Sequence, residues 1–238
     1  MAMQPLSIIP LTGLPEIKEG DNLAELIART AWEAGMPLHD GDCLVVTQKI
    51  VSKSEGRMVA LDHGDREAKR ALVESESVRI VRRRGDLIIS ETTHGFICAN
   101  AGIDLSNVDE GVAALLPIDS DRSARRIRDG LSGVEKIDVG VIISDTFGRA
   151  WRNGLTDVAI GVAGIAAILD LRGTQDGNGR ELEVTEVAVA DEIASAAELV
   201  MGKATGVAVA IVRGLNPDFF RESSVKELVR NPQEDLFR

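Results

Sequence analysis

Two polar constellations hold the side chains of this chain best suited to chemistry. One runs Thr92-Thr93-His94-Gly95 and on to Asn100-Ala101-Gly102-Ile103-Asp104-Leu105-Ser106-Asn107. The other is Ser144-Asp145-Thr146-Phe147-Gly148-Arg149-Ala150-Trp151-Arg152. Carboxylates at Asp104 and Asp145, with amide and hydroxyl oxygens beside them, are hard donors of the kind that hold a hard divalent cation. Arg149 and Arg152 add forked donors that match a carboxylate or a phosphate. Together these residue types fit a site for a cation and an anionic ligand.

The elements around them must bring these segments together. An apolar, β-branched run over 137–143 reads as a buried strand, so Asp145 is expected just past its carboxyl end, where α/β proteins gather ligands. A second strand is expected over 43–51, with Lys49 and Lys53 close to its end. Short strands at 7–10, 78–81 and 207–212 and a hairpin from 86–90 and 95–99 complete the β pattern. Helical spacing marks 21–34, capped by Asp21 and closed by Gly35, then 65–75, a stretch opened by Asp119 that ends near Gly130, 186–202, and 224–229. The run 157–171 reads as closely packed strands and 173–179 as a loop. The pattern predicts an α+β or mixed α/β fold with helices flanking mixed sheets, in two interlocked subdomains.

Composition removes several classes of function. A chain of 238 residues with 44% hydrophobic side chains can bury a full core. The net charge of −11 argues against general nucleic-acid binding, and a phosphate-bearing ligand would need local basic groups or metal ions. No apolar stretch approaches the ~20 residues of a membrane span. The two cysteines, Cys43 and Cys98, lie inside apolar runs and read as packing residues in a reducing compartment. A cytoplasmic protein is expected. Three consecutive arginines, Arg82, Arg83 and Arg84, read either as a solvated edge or as a phosphate-facing loop. No Walker-type phosphate loop, Gly-x-Gly-x-x-Gly turn or zinc spacing occurs, since Gly202-Lys203-Ala204 lacks both the upstream glycine and the hydroxyl residue.

Several ordered motifs carry a resemblance. They are Leu14-Pro15-Glu16-Ile17-Lys18-Glu19-Gly20-Asp21, then Asp40-Gly41-Asp42 running into Val51-Ser52-Lys53-Ser54-Glu55-Gly56-Arg57, the stretch from His94 through Asn107-Val108, and Ser144-Asp145-Thr146-Phe147-Gly148-Arg149. Over nearly its whole length the chain resembles the coenzyme F-420 gamma-glutamyl ligases. The resemblance implies GTP-dependent joining of L-glutamate, through its amine, to a carboxylate of the deazaflavin precursor, with release of GDP and phosphate. It also implies a homodimer that needs Mg or Mn ions, two of them bound, and is stimulated by K. The chain resembles the single-module form over 1–238, without the C-terminal nitroreductase-like domain of some relatives.

Site roles follow from the same resemblance. Asp104, Asp145 and Thr146 match metal positions, the two aspartates being the catalytic candidates. By residue type alone Asp104 reads as a turn residue and Asp145 as a strand-end cap. Asn107 resembles an amide that contacts the nucleotide, and otherwise reads as a cap. Leu14, Pro15, Glu16 and Ile17 match a stretch lining the nucleotide site, while Gln48, Lys49 and Lys53 match polar contacts to GTP. Met201, Gly202, Lys203, Ala204, Thr205, Gly206, Val207 and Ala208 match a further nucleotide-facing segment, which by itself reads as a helix end followed by a core strand. His94 has no neighbouring nucleophile or base in the sequence and reads as structural. Thr93 stands where some relatives carry a basic residue, which bears on acceptor preference.

The implied mechanism begins with transfer of the γ-phosphoryl group to the acceptor carboxylate, giving an acyl phosphate that the glutamate amine attacks. Two other functions fit the same residues. One is an amide ligase acting on another acceptor; the other is a non-catalytic module that binds GTP and metal for sensing.

Overall fold

The computed structural model describes residues 5–106 and 110–236. In chain order its elements are β1 (Ser7–Leu11), α1 (Leu23–Glu33), β2 (Cys43–Thr47), α2 (Gln48–Ser54), β3 (Met58–Ala60), α3 (Arg66–Ser75), β4 (Ser77–Arg84), β5 (Leu87–Thr92) and β6 (Ile97–Ala99). There follow β7 (Val112–Ala114), α4 (Ser120–Glu135), β8 (Gly140–Arg149), β9 (Arg152–Ala163), β10 (Leu169–Asp170), β11 (Glu186–Val187), α5 (Val189–Met201) and β12 (Val209–Arg213). Helices and several sheets are mixed along the chain, as the α+β reading requires.

A five-stranded sheet in the order β1-β12-β2-β8-β9 forms the centre. Only β2 and β8 run parallel; every other pairing is antiparallel. Both faces are covered, so strands that look uniformly apolar sort by alternation. Leu44, Val46, Val141, Ile143, Val209 and Ile211 pack with α1 and α4, while Cys43, Val45, Ile142, Val162, Ala210 and Val212 pack with α5. Burial of the apolar stripes on these helices is worth ~25 cal/mol for each Å² removed from water, and it fixes which side of the sheet each helix occupies.

Small residues permit the close contacts of this core. A Cβ on Gly130 would lie 2.6 Å from Ala24 Cβ, so this glycine serves the packing of α4 on α1, and α4 continues through it to Glu135 rather than ending there. Helix α4 starts at Asp119, whose carboxylate accepts from the Arg122 amide. Helix α1 starts after Asn22, not Asp21; Asp21 accepts instead from the Lys18 amide.

Other elements also differ from the sequence reading; the helix expected over 224–229 is only a 3-10 turn at Val225–Glu227. The strand expected over 43–51 stops at Thr47, and Gln48–Ser54 forms a helix. Gln48 and Ser52, four residues apart, are both buried and joined by a 2.9 Å hydrogen bond, and Ser52 also donates to Leu115 O at 2.6 Å. These polar groups are satisfied across one helical turn, which an extended chain would not allow. The run that was expected to end at 143 continues to Arg149 as β8 and returns as β9. A smaller body made of β4-β5-β6 and α3 holds its own apolar cluster of Val73, Ile88 and Ala101. Arg82, Arg83 and Arg84 are exposed strand residues in it.

Candidate active site

A cleft of about 810 Å³ opens where the main sheet frays, and it collects residues from distant segments. Its position follows from strand lengths. The pairing of β2 with β8 ends at Thr47 and Ser144, so from Asp145 onward one edge of β8 is free. Adjacent strand residues point to opposite faces, and Asp145 and Thr146 therefore reach the cleft from opposite sides of the strand.

Asp104 enters from the segment after β6. Asn100 (φ 50°), Ala101 (φ 54°) and Gly102 (φ 72°) form a short left-handed turn, and the Gly102 position would place a Cβ 2.7 Å from Leu116 Cδ1. Such a conformation favours glycine sterically. The turn is pinned by Asn100 Oδ1, which accepts from the Ile88 amide. Asp104 then exchanges two 2.9 Å backbone hydrogen bonds with Ala114, which sets its carboxylate against α2.

Helix α2 supplies Lys49 and Lys53, spaced four residues apart so that both face the cleft. Lys49 Nζ lies 2.9 Å from Asp104 Oδ2, and Ser106 donates to Asp104 Oδ1 from its amide at 2.6 Å and its hydroxyl at 2.7 Å. Burial pushes the Asp104 carboxyl up, but these donors outweigh it and hold the group below its ordinary value. Lys53 pairs with Glu16.

The other side is built around Asp157 on β9. Its carboxylate, 4% exposed, accepts from Thr146 Oγ1 at 2.6 Å, from Lys203 Nζ at 2.9 Å and from Ser144 Oγ at 3.1 Å. Lys203 follows the end of α5, pairs with Glu198 at 3.3 Å and also bonds Thr146 Oγ1. Burial pushes the Asp145 carboxyl up to about 7, opposed by a hydrogen bond from the Thr146 amide and reinforced by the negative charges of Asp104 and Asp157.

The structure thus brings Asp104, Asp145, Thr146, Lys49, Lys53, Met201, Gly202, Lys203, Ala204, Gly206, Val207 and Ala208 into one cleft. The Ala208 carbonyl accepts from the Thr47 amide, which ties the last of these residues to the end of β2. Other expected contacts lie elsewhere. Leu14 packs on the core and Ile17 is buried in it; Pro15 is exposed, and Glu16 reaches the cleft only through Lys53. Gln48 is 1% exposed and turned into the fold, and among the described residues its Nε2 has no hydrogen-bond partner. The Thr205 hydroxyl is bonded back to the Met201 carbonyl. Asn107 falls outside the described residues.

Arg149 and Arg152 sit at the β8–β9 turn and do not line the cleft; Arg149 donates to Asn153 O at 2.9 Å. His94 donates from Nε2 to the Pro117 carbonyl at 2.8 Å and stacks on Phe96. Cys43 and Cys98 are free and buried. Cys98 nonetheless touches the cleft wall, and burial pushes its thiol up to about 12, with Asp145 adding to the shift.

Asp157 and Glu198 were not among the sequence candidates. Pairing Thr146 with Asp157 requires counting back from the hairpin turn, and a bulge between Gly148 and Arg149 shifts that count. Only the alternation of β9 around Asp157 hinted at a buried carboxylate there.

The donor set is one of oxygens. Among the described residues no three His, Cys, Asp or Glu side chains converge closely enough to form a metal cage by themselves. Two carboxylates and a hydroxyl at the rim of an open cleft fit a hard cation that completes its shell with water and ligand oxygens. The crowded negative charge around Asp145 fits the same cation. Lys49, Lys53 and Lys203 supply the local positive charge that an acidic protein needs to receive a phosphate.

The profile of the F420-0:Gamma-glutamyl ligase family matches residues 13–214. The chain is 46% identical to the coenzyme F420:L-glutamate ligase of Methanothermobacter thermautotrophicus, covering 98% of this chain and 99% of that protein. It is 42% identical to the coenzyme F420:L-glutamate ligase of Methanopyrus kandleri, covering 98% of each chain. Identity to the protein of the same name from Methanocaldococcus jannaschii is 40%, over 94% of each chain. Among the described residues no helix is long and apolar enough to cross a membrane.

Proposed function

Since this chain belongs to the F420-0:Gamma-glutamyl ligase family, we propose that it joins L-glutamate to a carboxylate of a deazaflavin F420 precursor at the expense of GTP. The observation that carries the reading is the convergence of Lys49, Lys53 and Lys203 with Asp104, Asp145 and Thr146 in one cleft. A volume of about 810 Å³ suits a nucleotide with room for a second substrate.

Asp104, Asp145 and Thr146 would hold Mg or Mn. Such an ion, when bound, neutralises charge on phosphate oxygens and orients the transferred group. The protein's own groups do the remaining work. Lys49 and Lys53 on one wall and Lys203 on the other grip the polyphosphate, and the cleft holds the acceptor carboxylate in line with the γ-phosphorus. A carboxylate oxygen attacks that phosphorus; the β–γ bridging bond breaks, and GDP leaves with its electron pair. The neutral amine of L-glutamate then attacks the acyl carbon, the carbon–oxygen bond to phosphate breaks, and the amine proton is lost as the amide forms. Cys98 remains a protonated wall residue throughout, since its thiol is held near 12.

The test is mass spectrometry of a deazaflavin precursor incubated with the purified protein, L-glutamate, GTP and Mg or Mn. A mass gain of one or more glutamyl units that disappears when GTP or metal is omitted supports the reading. Bound GTP without any mass gain would move the assignment to another acceptor or to a sensing module.

A further inference from the structure

Asp157 has no role in the reaction just described, yet its carboxylate is nearly fully buried and draws three donors. Removing a charge from water is costly unless it is paired and hydrogen bonded, and here both oxygens are satisfied. Two of the three partners, Thr146 and Lys203, line the cleft together with Asp157 itself. The third, Ser144, is fully buried in β8. A carboxylate serving only to lock the β8–β9 pairing would need no donor from the segment after α5, but the Lys203 ammonium reaches it at 2.9 Å.

A threonine hydroxyl has one proton and two lone pairs. Thr146 Oγ1 gives its proton to Asp157 Oδ1 at 2.6 Å, so its lone pairs are left for the cleft. In the structure one of them accepts from Lys203. The same carboxylate oxygen therefore fixes both the direction of the hydroxyl and the position of the ammonium. The backbone behind it is tied to α5: the Asp157 carbonyl accepts from Ser195 Oγ at 2.7 Å.

We infer that Asp157 is a positioning residue, which aims the Thr146 oxygen at the cation position and holds the Lys203 ammonium where the nucleotide phosphates enter. The inference rests on the reading of the cleft given under Proposed function. It differs from that reading in what it requires: Asp157 touches neither ligand, and its effect passes through two other side chains.

The test measures binding of Mn2+ alone by electron paramagnetic resonance, and of GTP by calorimetry, with no acceptor present. Asp157→Asn keeps the size of the side chain and removes its charge, and Asp157→Ser serves as a second variant should the first not fold. Loss of an outer partner of a metal ligand typically weakens metal affinity about 10- to 100-fold, and a loss of that size is expected for Mn2+; in separate turnover assays with acceptor and L-glutamate, the rise in KM for GTP should exceed the fall in kcat. Thr146→Val should give a similar loss, and the double variant little more, because the two act as one unit. Ser144→Ala, which removes the partner that does not face the cleft, should retain wild-type binding. Asp157 variants that fold and bind Mn2+ and GTP like the wild type overturn the assignment and leave the proposed ligase untouched. A wild type that binds neither ligand overturns both.

Discussion

Lys49 Nζ stands 2.9 Å from Asp104 Oδ2, so a helix residue and a loop residue from different parts of the chain meet as an ion pair on the cleft wall. On the far wall the Lys203 ammonium bonds Thr146 and Asp157. In both places an ammonium covers oxygens assigned to a cation. Under the proposed function, loading the site would require each lysine to exchange a carboxylate or hydroxyl for a phosphate oxygen, which would link nucleotide entry to cation entry.

That linkage makes Lys49→Met informative. Loss of a charged hydrogen bond worth ~1.5–3 kcal/mol should weaken GTP about 10-fold or more. With no nucleotide present, the same variant should bind Mn2+ more tightly than the wild type, because Asp104 is released from its partner. Calorimetric titration of each ligand checks both directions. Equal weakening of both would mean that Lys49 only supports the local fold.

Asp145 gives a pH dependence with a definite sign. Burial pushes its carboxyl up to about 7 in the folded protein, against about 4 in an unfolded chain. Between these values the folded state holds more protons than the unfolded state, so metal-free stability falls as pH rises across the window and stays low above it. Asp145→Asn removes the burden. At pH 8 without metal the variant should melt higher than the wild type, by about 2–4 °C per kcal/mol recovered, and the gap should close near pH 4. Thermal melts at the two pH values decide it.

Metal-dependent turnover should respond to the same substitution in the opposite way. Asp145→Asn keeps shape and loses the anionic donor, so glutamyl transfer should collapse while circular dichroism stays native. Full activity of this variant at saturating Mn2+ would remove Asp145 from the reaction.

Gly161 tests the packing that holds the β8–β9 arm in place. A Cβ there would lie 2.4 Å from the Ser120 carbonyl carbon and 2.5 Å from its oxygen, at the first turn of α4. Backbone cannot yield as a flexible side chain can. Gly161→Ala should cost ~1–3 kcal/mol of stability, measurable by urea denaturation, and should disturb the Val162 amide's hydrogen bond to Asp121.

Cys98 should be inert despite lining the cleft. With its thiol near 12, almost no thiolate exists at pH 8. Ellman's reagent should label the native protein far more slowly than the urea-unfolded chain. Rapid labelling of the native state would show that the wall opens.

Much of this protein was readable from local pattern. Asp65 and Asp119 announce α3 and α4 because a carboxylate at an N-cap meets amides only a few residues away. The hairpin of β5 and β6 was visible because its strands are neighbours in sequence. The motifs around Asp104 and Asp145 marked segments that line the cleft, because polar oxygen donors declare their type in the sequence. Tertiary structure decided what depends on distance. The register bulge that sets Asp157 beside Thr146 has no local signature, and neither does the turn that leaves Arg149 and Arg152 outside the cleft or the end of α5 that brings Lys203 in. The change from strand to helix at Gln48 also belongs there. Gln48, Ile50, Val51 and Ser52 find a buried environment only after Leu115 and the main sheet are in place, and that environment, more than propensity, turns Lys49 toward Asp104.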